Sequence, residues 1–434
     1  MIRKIKPYLI QALTSDFLLN TKRKFAEKKR IKKHLKHQVT VYLAIDDPAS
    51  YLLLQTLTGL EQRYQLSFDF ITVLNKPKEM FPAPLMWQTN AFEDSTFMAQ
   101  LYNLDFPTTP PQMSLKQKTI ATTQLLHNEC QADYLAKALA IFTCYWHGDN
   151  DGLSALINPV IQTHSECYHQ HLSHNETMLK TQGHYQSAML HYGGEWYWGL
   201  ERLHYLEKRL NALHNSDEQA IQFDKIRHIH QSNNALPTNS DNKIPLTMYF
   251  SIRSPYSYIG LVRAKRLAAH FQIPLVVKPV LPMVMRRMSV PKVKGMYIIG
   301  DVKREAATFN IPFGRVADPL GAGVERCYSL YEYACDNQRG IEFLLTYAQS
   351  VWSQGVHSDT DAGLKIIVEQ SGLNWLDAKQ HLGNDRWKQW ANRNLLALYQ
   401  HNKWGVPSFN YENTTVFGQD KLLEIQHAIE SNQL

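Results

Sequence analysis

The sequence predicts an α/β protein made of two tandem copies of one domain, each carrying a helical insertion, with a basic N-terminal helix ahead of them. Three observations point there. A short buried strand that stops at a polar N-cap, with proline next, occurs twice: Gln38–Ile45 leads into Asp47 and Pro48, and Leu246–Ile252 leads into Ser254 and Pro255. A shift of 207 positions lays the first on the second without a gap, so that Thr40 falls on Thr247, Tyr42 on Tyr249, Ile45 on Ile252, Ser50 on Ser257, Tyr51 on Tyr258 and Leu60 on Leu267. Each half then closes on a strand, a turn and a second strand: Gln186–Tyr192 with Glu195–Gly199, and Trp404–Tyr411 with Thr414–Gly418.

Taken in order, the chain opens on charge. Residues 1–38 hold twelve Lys or Arg against Asp16 and Glu27, a local +10 in a chain of net +7, so the remainder carries −3. Tyr8, Leu9, Ile10, Leu13, Phe17, Leu18 and Leu19 recur there at helical spacing. The readings of this head, in falling order, are a solvated basic helix with one face on the body, a weak membrane-surface contact, and a nucleic-acid contact. It contains no signal-peptide h-region, and no run in the chain is long enough to span a bilayer. The expected location is therefore cytoplasmic, with a peripheral position on the inner face of the membrane as the variant.

The 434 residues suit two domains of about 200 each, and 44% hydrophobic with 20% charged residues is ordinary globular material. The expected division is a basic helical segment over 1–37, a first domain over 38–230, a polar, proline-bounded linker over 231–245 and a second domain over 246–434. In the second domain the helical insertion runs from about Ile299 to Asn402 and includes Glu342–Trp352 and Asp361–Glu369. Cys130, Cys144, Cys167, Cys327 and Cys335 make an odd count with no Cys-x-x-Cys, so they read as reduced thiols, mostly small core residues, and a dithiol oxidoreductase is disfavoured.

Chemistry is expected where the copies differ. The first-turn amides of a helix lack intrahelical partners and its dipole end is positive, so a thiolate beside Ser254 is stabilised. Asp47 stands there in the first copy: a good N-cap, but an anion that repels a thiolate. Pro407, entering a strand, is either an edge residue or a cis bond that exposes backbone to a ligand, and Ala188 stands in its place in the first copy. The first domain thus reads as a degenerate copy.

Four pieces of the second copy, Ser254–Tyr258, Lys294-Gly-Met-Tyr297, Trp404-Gly-Val-Pro407 and Phe417–Leu422, taken in order, resemble the glutathione-dependent 2-hydroxychromene-2-carboxylate isomerases and the related kappa-class glutathione transferases. The resemblance implies a thioredoxin-like fold of the DsbA-like branch with a helical insertion, in tandem duplicate here, and an internal pseudo-dimer of the two domains. It implies a glutathione-dependent isomerase or transferase acting on a small electrophilic or conjugated substrate. By it, Ser254 faces the glutathione sulfur, Lys294 meets the glycyl carboxylate, Val406 before Pro407 offers backbone to the cysteinyl part, and Gln419 and Asp420 hold the γ-glutamyl end. A tripeptide with a free amine and two carboxylates does need an anionic contact, a cationic contact and backbone pairing. Two departures lie on the electrophile side. An asparagine of the kappa type has no counterpart ahead of Lys294, and Pro319-Leu-Gly-Ala-Gly323 replaces a Pro-x-Asn pattern, so the resemblance does not carry the substrate. Arg286 and Arg287 either contact an acidic substrate or form a solvated pair.

Each residue also has a purely structural reading. Ser254 can be a plain N-cap, Pro407 an edge-strand proline, Lys294 a surface lysine and Asp420 a first-turn acid of the last helix. The alternative for the whole chain is a non-enzymatic thioredoxin-fold binding module. His164, Cys167, His171 and His174 fall at helical spacing on one face, but a straight helix spreads them over three turns, too far to close one tetrahedral site, so no metal is expected.

Overall fold

The computed structural model describes residues 2–74, 76–77, 79–158, 165–213, 219–229 and 244–432. Most of the expected linker, and His164, lie outside them. The chain divides into two compact units, Asn20–Arg227 and Met1–Leu19 together with His228–Leu434.

The basic head is two helices, α1 (Ile2–Leu13) and α2 (Asp16–Lys32), where the sequence was read as one. The break follows from its side chains. Thr14 Oγ1 donates to the Ile10 carbonyl at 2.9 Å, closing α1, and Ser15 Oγ accepts from the Leu18 amide at 3.3 Å, capping α2 ahead of Asp16.

The unit Asn20–Arg227 continues with β1 (His37–Leu43), α3 (Pro48–Tyr64), β2 (Leu66–Thr72), α4 (Pro84–Tyr102), α5 (Leu115–Asn128), α6 (Tyr134–Trp146), α7 (Asn150–Ala155), α8 (Ser165–Thr181), β3 (Met189–Tyr192), β4 (Glu195–Trp198) and α9 (Leu203–Asn211). Its sheet runs β2-β1-β3-β4, with β1 parallel to β2 and antiparallel to β3. Val39, Val41 and Leu43 alternate into a core shared with Leu53 and Leu57 of α3 and Phe142 of α6.

The second unit is built from β5 (Leu246–Phe250), α10 (Pro255–His270), β6 (Leu275–Pro279), α11 (Lys292–Thr308), α12 (Ala322–Asp336), α13 (Gly340–Trp352), α14 (Asp361–Gln370), α15 (Trp375–Gln380), α16 (Arg386–Gln400), β7 (Ser408–Tyr411), β8 (Thr414–Phe417) and α17 (Leu422–Asn432). Its sheet runs β6-β5-β7-β8, the same order and the same strand directions as the first. All five residues of β5 are buried, as a central strand covered on both faces requires. The insertion begins at Lys292, seven positions before Ile299, because Pro291 already starts a helix there.

The cysteines depart from expectation. Cys327 is buried, but Cys130, Cys167 and Cys335 are exposed and Cys144 is half-buried; all five are free thiols. Cys130 sits in the turn after α5 and Cys335 in the last turn of α12, places where a small side chain has no core to enter.

Candidate functional site

The site starts where β5 ends. Ser254 is extended (φ −93°, ψ 112°), and its Oγ accepts from the Ser257 amide at 3.1 Å, which caps α10. The same hydroxyl donates to the Val406 carbonyl at 3.3 Å, across 152 positions of sequence. The Val406–Pro407 bond is cis. These groups meet because β5 and β7 are neighbours, with Tyr249 opposite Ser408, so the exit of one strand lies beside the entry of the other. The helical insertion holds the exit in place. Trp352 Nε1 donates to the Ile252 carbonyl at 3.0 Å, Tyr328 hydroxyl to the Val280 carbonyl at 2.6 Å, and Arg253 forks onto Asp318 with two contacts of 3.1 Å.

Three further residues shape the Pro407 side, and sequence reasoning missed them. Gly260 of α10 is one: a Cβ there would stand 3.0 Å from Phe409 Cζ, 3.3 Å from Pro407 Cγ and 3.4 Å from Gln419 Cβ. A Cβ would crowd both segments, so glycine lets α10 approach them this closely without displacing either. Arg263, one turn on, donates to both the backbone carbonyl and the side-chain oxygen of Gln419. Glu305 of α11 accepts from Gln419 Nε2 at 2.8 Å, and the Arg263 guanidinium lies 3.8 Å from the centre of the Phe309 ring. Arg263, Glu305 and Gln419 are all buried. The signal available in sequence was a glycine in mid-helix with an arginine three residues later on the same face.

Ser254, Val406, Pro407 and Gln419 thus converge on α10, and Asp420, buried, follows Gln419 in the 3-10 turn before α17. Lys294 lies in the first turn of α11, half-buried, and desolvation pushes its ammonium pKa down to about 8. A bridge of Tyr256 hydroxyl to Asp301 at 2.6 Å, with Asp301 also taken by Arg304 at 2.8 Å, ties α11 to α10. Arg286 is half-buried rather than solvated. Its fork donates to Tyr399 hydroxyl at 2.9 Å and the Trp404 carbonyl at 3.1 Å, which fixes the approach to Pro407, while Arg287 is exposed.

In the unit Asn20–Arg227 the corresponding helix start is filled by the protein's own carboxylate. Asp47 is buried and accepts from the Ala49 amide at 3.3 Å, Ser50 Oγ at 2.9 Å and Ser187 Oγ at 2.6 Å. Burial pushes its carboxyl pKa up, against the opposing pull of Lys76 and of the two serine hydroxyls. The histidine row on α8 is also engaged: His171 Nε2 lies 3.0 Å from Glu129 Oε2, a buried carboxylate that also accepts from Asn175 and the Thr72 amide. Among the described residues no three His, Cys, Asp or Glu are grouped to hold a metal ion.

Residues 245–430 match the family model of the DSBA-like thioredoxin domain. Similar solved structures include a 2-hydroxychromene-2-carboxylate isomerase, 19% identical over 43% of this chain and 95% of that one, with a TM-score of 0.38. A probable DsbA oxidoreductase from Streptomyces coelicolor is 14% identical over 43% and 89%, at a TM-score of 0.36. A putative protein disulfide isomerase from Nitrosomonas europaea is 14% identical over 44% and 99%, also at 0.36. No curated protein matches the chain.

Proposed function

We propose that the DsbA-like thioredoxin domain of this chain is a glutathione-dependent isomerase or transferase of the 2-hydroxychromene-2-carboxylate isomerase and kappa type, and that the unit Asn20–Arg227 is a degenerate copy of the same domain. The observation that carries the reading is Ser254 at the start of α10, its hydroxyl aimed at the carbonyl of Val406 beside a cis proline, with serine rather than cysteine at positions 254 and 257. A serine pair cannot cycle through a disulfide. It can still hold a sulfur anion brought by a ligand.

The donor set fits glutathione. Ser254 supplies a hydroxyl donor at the positive end of α10, Val406 and Pro407 supply strand-edge backbone, Lys294 supplies a cation for a carboxylate, and Asp420 with Gln419 supplies acceptors for an ammonium group. Bound glutathione contributes a thiol whose anion adds to, and leaves, an electron-poor conjugated carbon, giving isomerisation, or conjugation where the adduct persists. The chain's part is positional and electrostatic. Ser254 Oγ makes a bond of 3.3 Å to Val406 that is long enough to be exchanged for a stronger one to an anion. Gly260 and Arg263 keep Pro407 and Gln419 at fixed spacing from it.

Calorimetry with glutathione tests this directly. Binding with a 1:1 stoichiometry and a thermal shift at millimolar ligand is expected. No heat and no shift would leave a non-enzymatic thioredoxin-fold module as the reading.

A further inference from the structure

We propose that each of the two N-terminal helices docks the protein on an anionic bilayer surface. Helix α1 has two faces. Pro7 is buried with its Cβ against Gly355, Ile10 packs on the core of its unit, Gln11 accepts from Arg315 Nε at 3.2 Å, and the Tyr8 ring lies 4.6 Å from the Arg315 guanidinium. At 3.6 residues per turn, Ile5, Leu9 and Leu13 fall on the other side, and they are 46%, 54% and 61% exposed. A surface helix ordinarily buries its leucines and wets its polar side. Here the leucines are turned outward.

Helix α2 does the same with lysines interleaved. Its inward side is held by Arg23, paired with Glu195 at 2.8 Å, while Arg30 is forked onto Glu27 within the helix itself. Outward stand Phe17, 82% exposed, with Phe25 and Ile31, among exposed Lys24, Lys28 and Lys32. Eight of the seventeen exposed large hydrophobic side chains among the described residues lie in the first 35 positions. Residues 1–38, which contain that stretch, carry +10, while the rest of the chain carries −3.

Charge decides the occupant. A second copy would present the same positive face and be repelled. A nucleic acid would use the lysines but give Leu9, Leu13 and Phe17 nothing to enter. An anionic bilayer takes both: its headgroups meet the lysines and its headgroup–acyl boundary accepts the apolar side chains. No helix among the described residues is long and apolar enough to cross a membrane, so the contact is peripheral.

The test is co-sedimentation of the full chain with vesicles of phosphatidylcholine alone and with phosphatidylglycerol added, at low and high salt. Binding to the anionic vesicles alone, weakened by salt, is expected. Each basic residue near such a surface is worth about 1 kcal/mol, about fivefold in partition, so Lys24→Glu/Lys28→Glu/Lys32→Glu should reduce binding at least a hundredfold. Leu9→Ser/Leu13→Ser should reduce it at least about tenfold through lost apolar insertion. Phe17→Ser/Phe25→Ser serves as a second apolar variant, with circular dichroism confirming that each folds. Equal binding to neutral vesicles, or binding to none, overturns the proposal. So does tight binding to a DNA oligonucleotide that the apolar variants leave unchanged while they also leave vesicle binding unchanged. A concentration-dependent dimer abolished by Leu9→Ser/Leu13→Ser, without vesicle binding, would assign the face to a second copy and overturn it equally.

Discussion

Replacing Ser254 by alanine and by aspartate separates capping from chemistry. The Ser257 amide loses its acceptor in the alanine variant, which costs about 1 kcal/mol, and the Val406 carbonyl loses its donor, a further cost of about 0.5–1.5 kcal/mol. Aspartate keeps the cap and suits the helix dipole, as Asp47 does at the start of α3, but an ionised carboxylate cannot donate to Val406. In urea the alanine variant should therefore lose about 1.5–2.5 kcal/mol and the aspartate variant about 0.5–1.5 kcal/mol. They should part at the sulfur. Alanine removes one hydrogen bond to an anion, about 1.5–3 kcal/mol, or about one to two pH units in the thiol titration. Aspartate adds a like charge at about 4 Å, about 1–4 kcal/mol more depending on solvent access. The thiolate absorbance of bound glutathione, followed against pH, reads the difference directly: the midpoint should rise from parent to alanine and again to aspartate. A midpoint indifferent to the aspartate would place the sulfur elsewhere and refute the role given to Ser254.

Gly260→Ala gains about 1 kcal/mol of helix propensity but sets a methyl against Phe409, Pro407 and Gln419, an overpacking cost of about 1–3 kcal/mol. Urea unfolding should show a net loss of up to about 2 kcal/mol, and calorimetry weaker glutathione binding; unchanged binding would mean that this spacing is not used. Lys294 is charged below about pH 8 and neutral above it, and only the ammonium pairs with a carboxylate, so glutathione affinity should be flat below pH 8 and fall about tenfold per unit above it. Lys294→Gln should bind weakly and without that pH dependence. Glu305→Gln exchanges the charged acceptor of the buried Gln419 Nε2 for a neutral one and should cost about 1 kcal/mol by thermal unfolding. With Asp47 filling the other helix start, titration should saturate at one glutathione per chain, and a second equivalent would show that Asp47 does not exclude it.

What sequence discloses here is what is locally encoded. The starts of α3 and α10 were legible because an N-cap side chain followed by proline acts within one turn, and both hairpins because alternation and turn residues do the same. Pro407 was legible as a cis candidate since few other roles suit a proline at a strand entry. The network behind it was not. Arg263 meets Gln419 across 156 positions and Gln419 meets Glu305 across 114, and nothing in either neighbourhood marks a buried charge. Arg286 misled in the other direction: a basic segment reads as solvated, yet this side chain is half-buried and bonds Tyr399 and Trp404, more than a hundred positions away. The break between α1 and α2 was written in Thr14, Ser15 and Asp16, but the run of lysines on either side hid it.

The two sheets share strand order, so the contrast between the units lies in side chains. Counting back 207 positions, Gly260 is answered by Leu53, Arg263 by Thr56 and Glu305 by Met98, all buried. After the hairpins, Gly418-Gln419-Asp420 is answered by Gly199-Leu200-Glu201, each forming a 3-10 turn. The turn and its acid are kept, while every polar partner that orients Gln419 is neutral or apolar in the other unit. An amide at position 200 would lack the arginine and the glutamate that orient Gln419, and burying it unpaired costs about 1–3 kcal/mol. Leucine there is the cheaper solution once Thr56 and Met98 are in place. Building the contacts of Gln419 into the unit Asn20–Arg227 would therefore take an arginine at 56 and a glutamate at 98 as well as a glutamine at 200, with a small residue at 53 to make room for them.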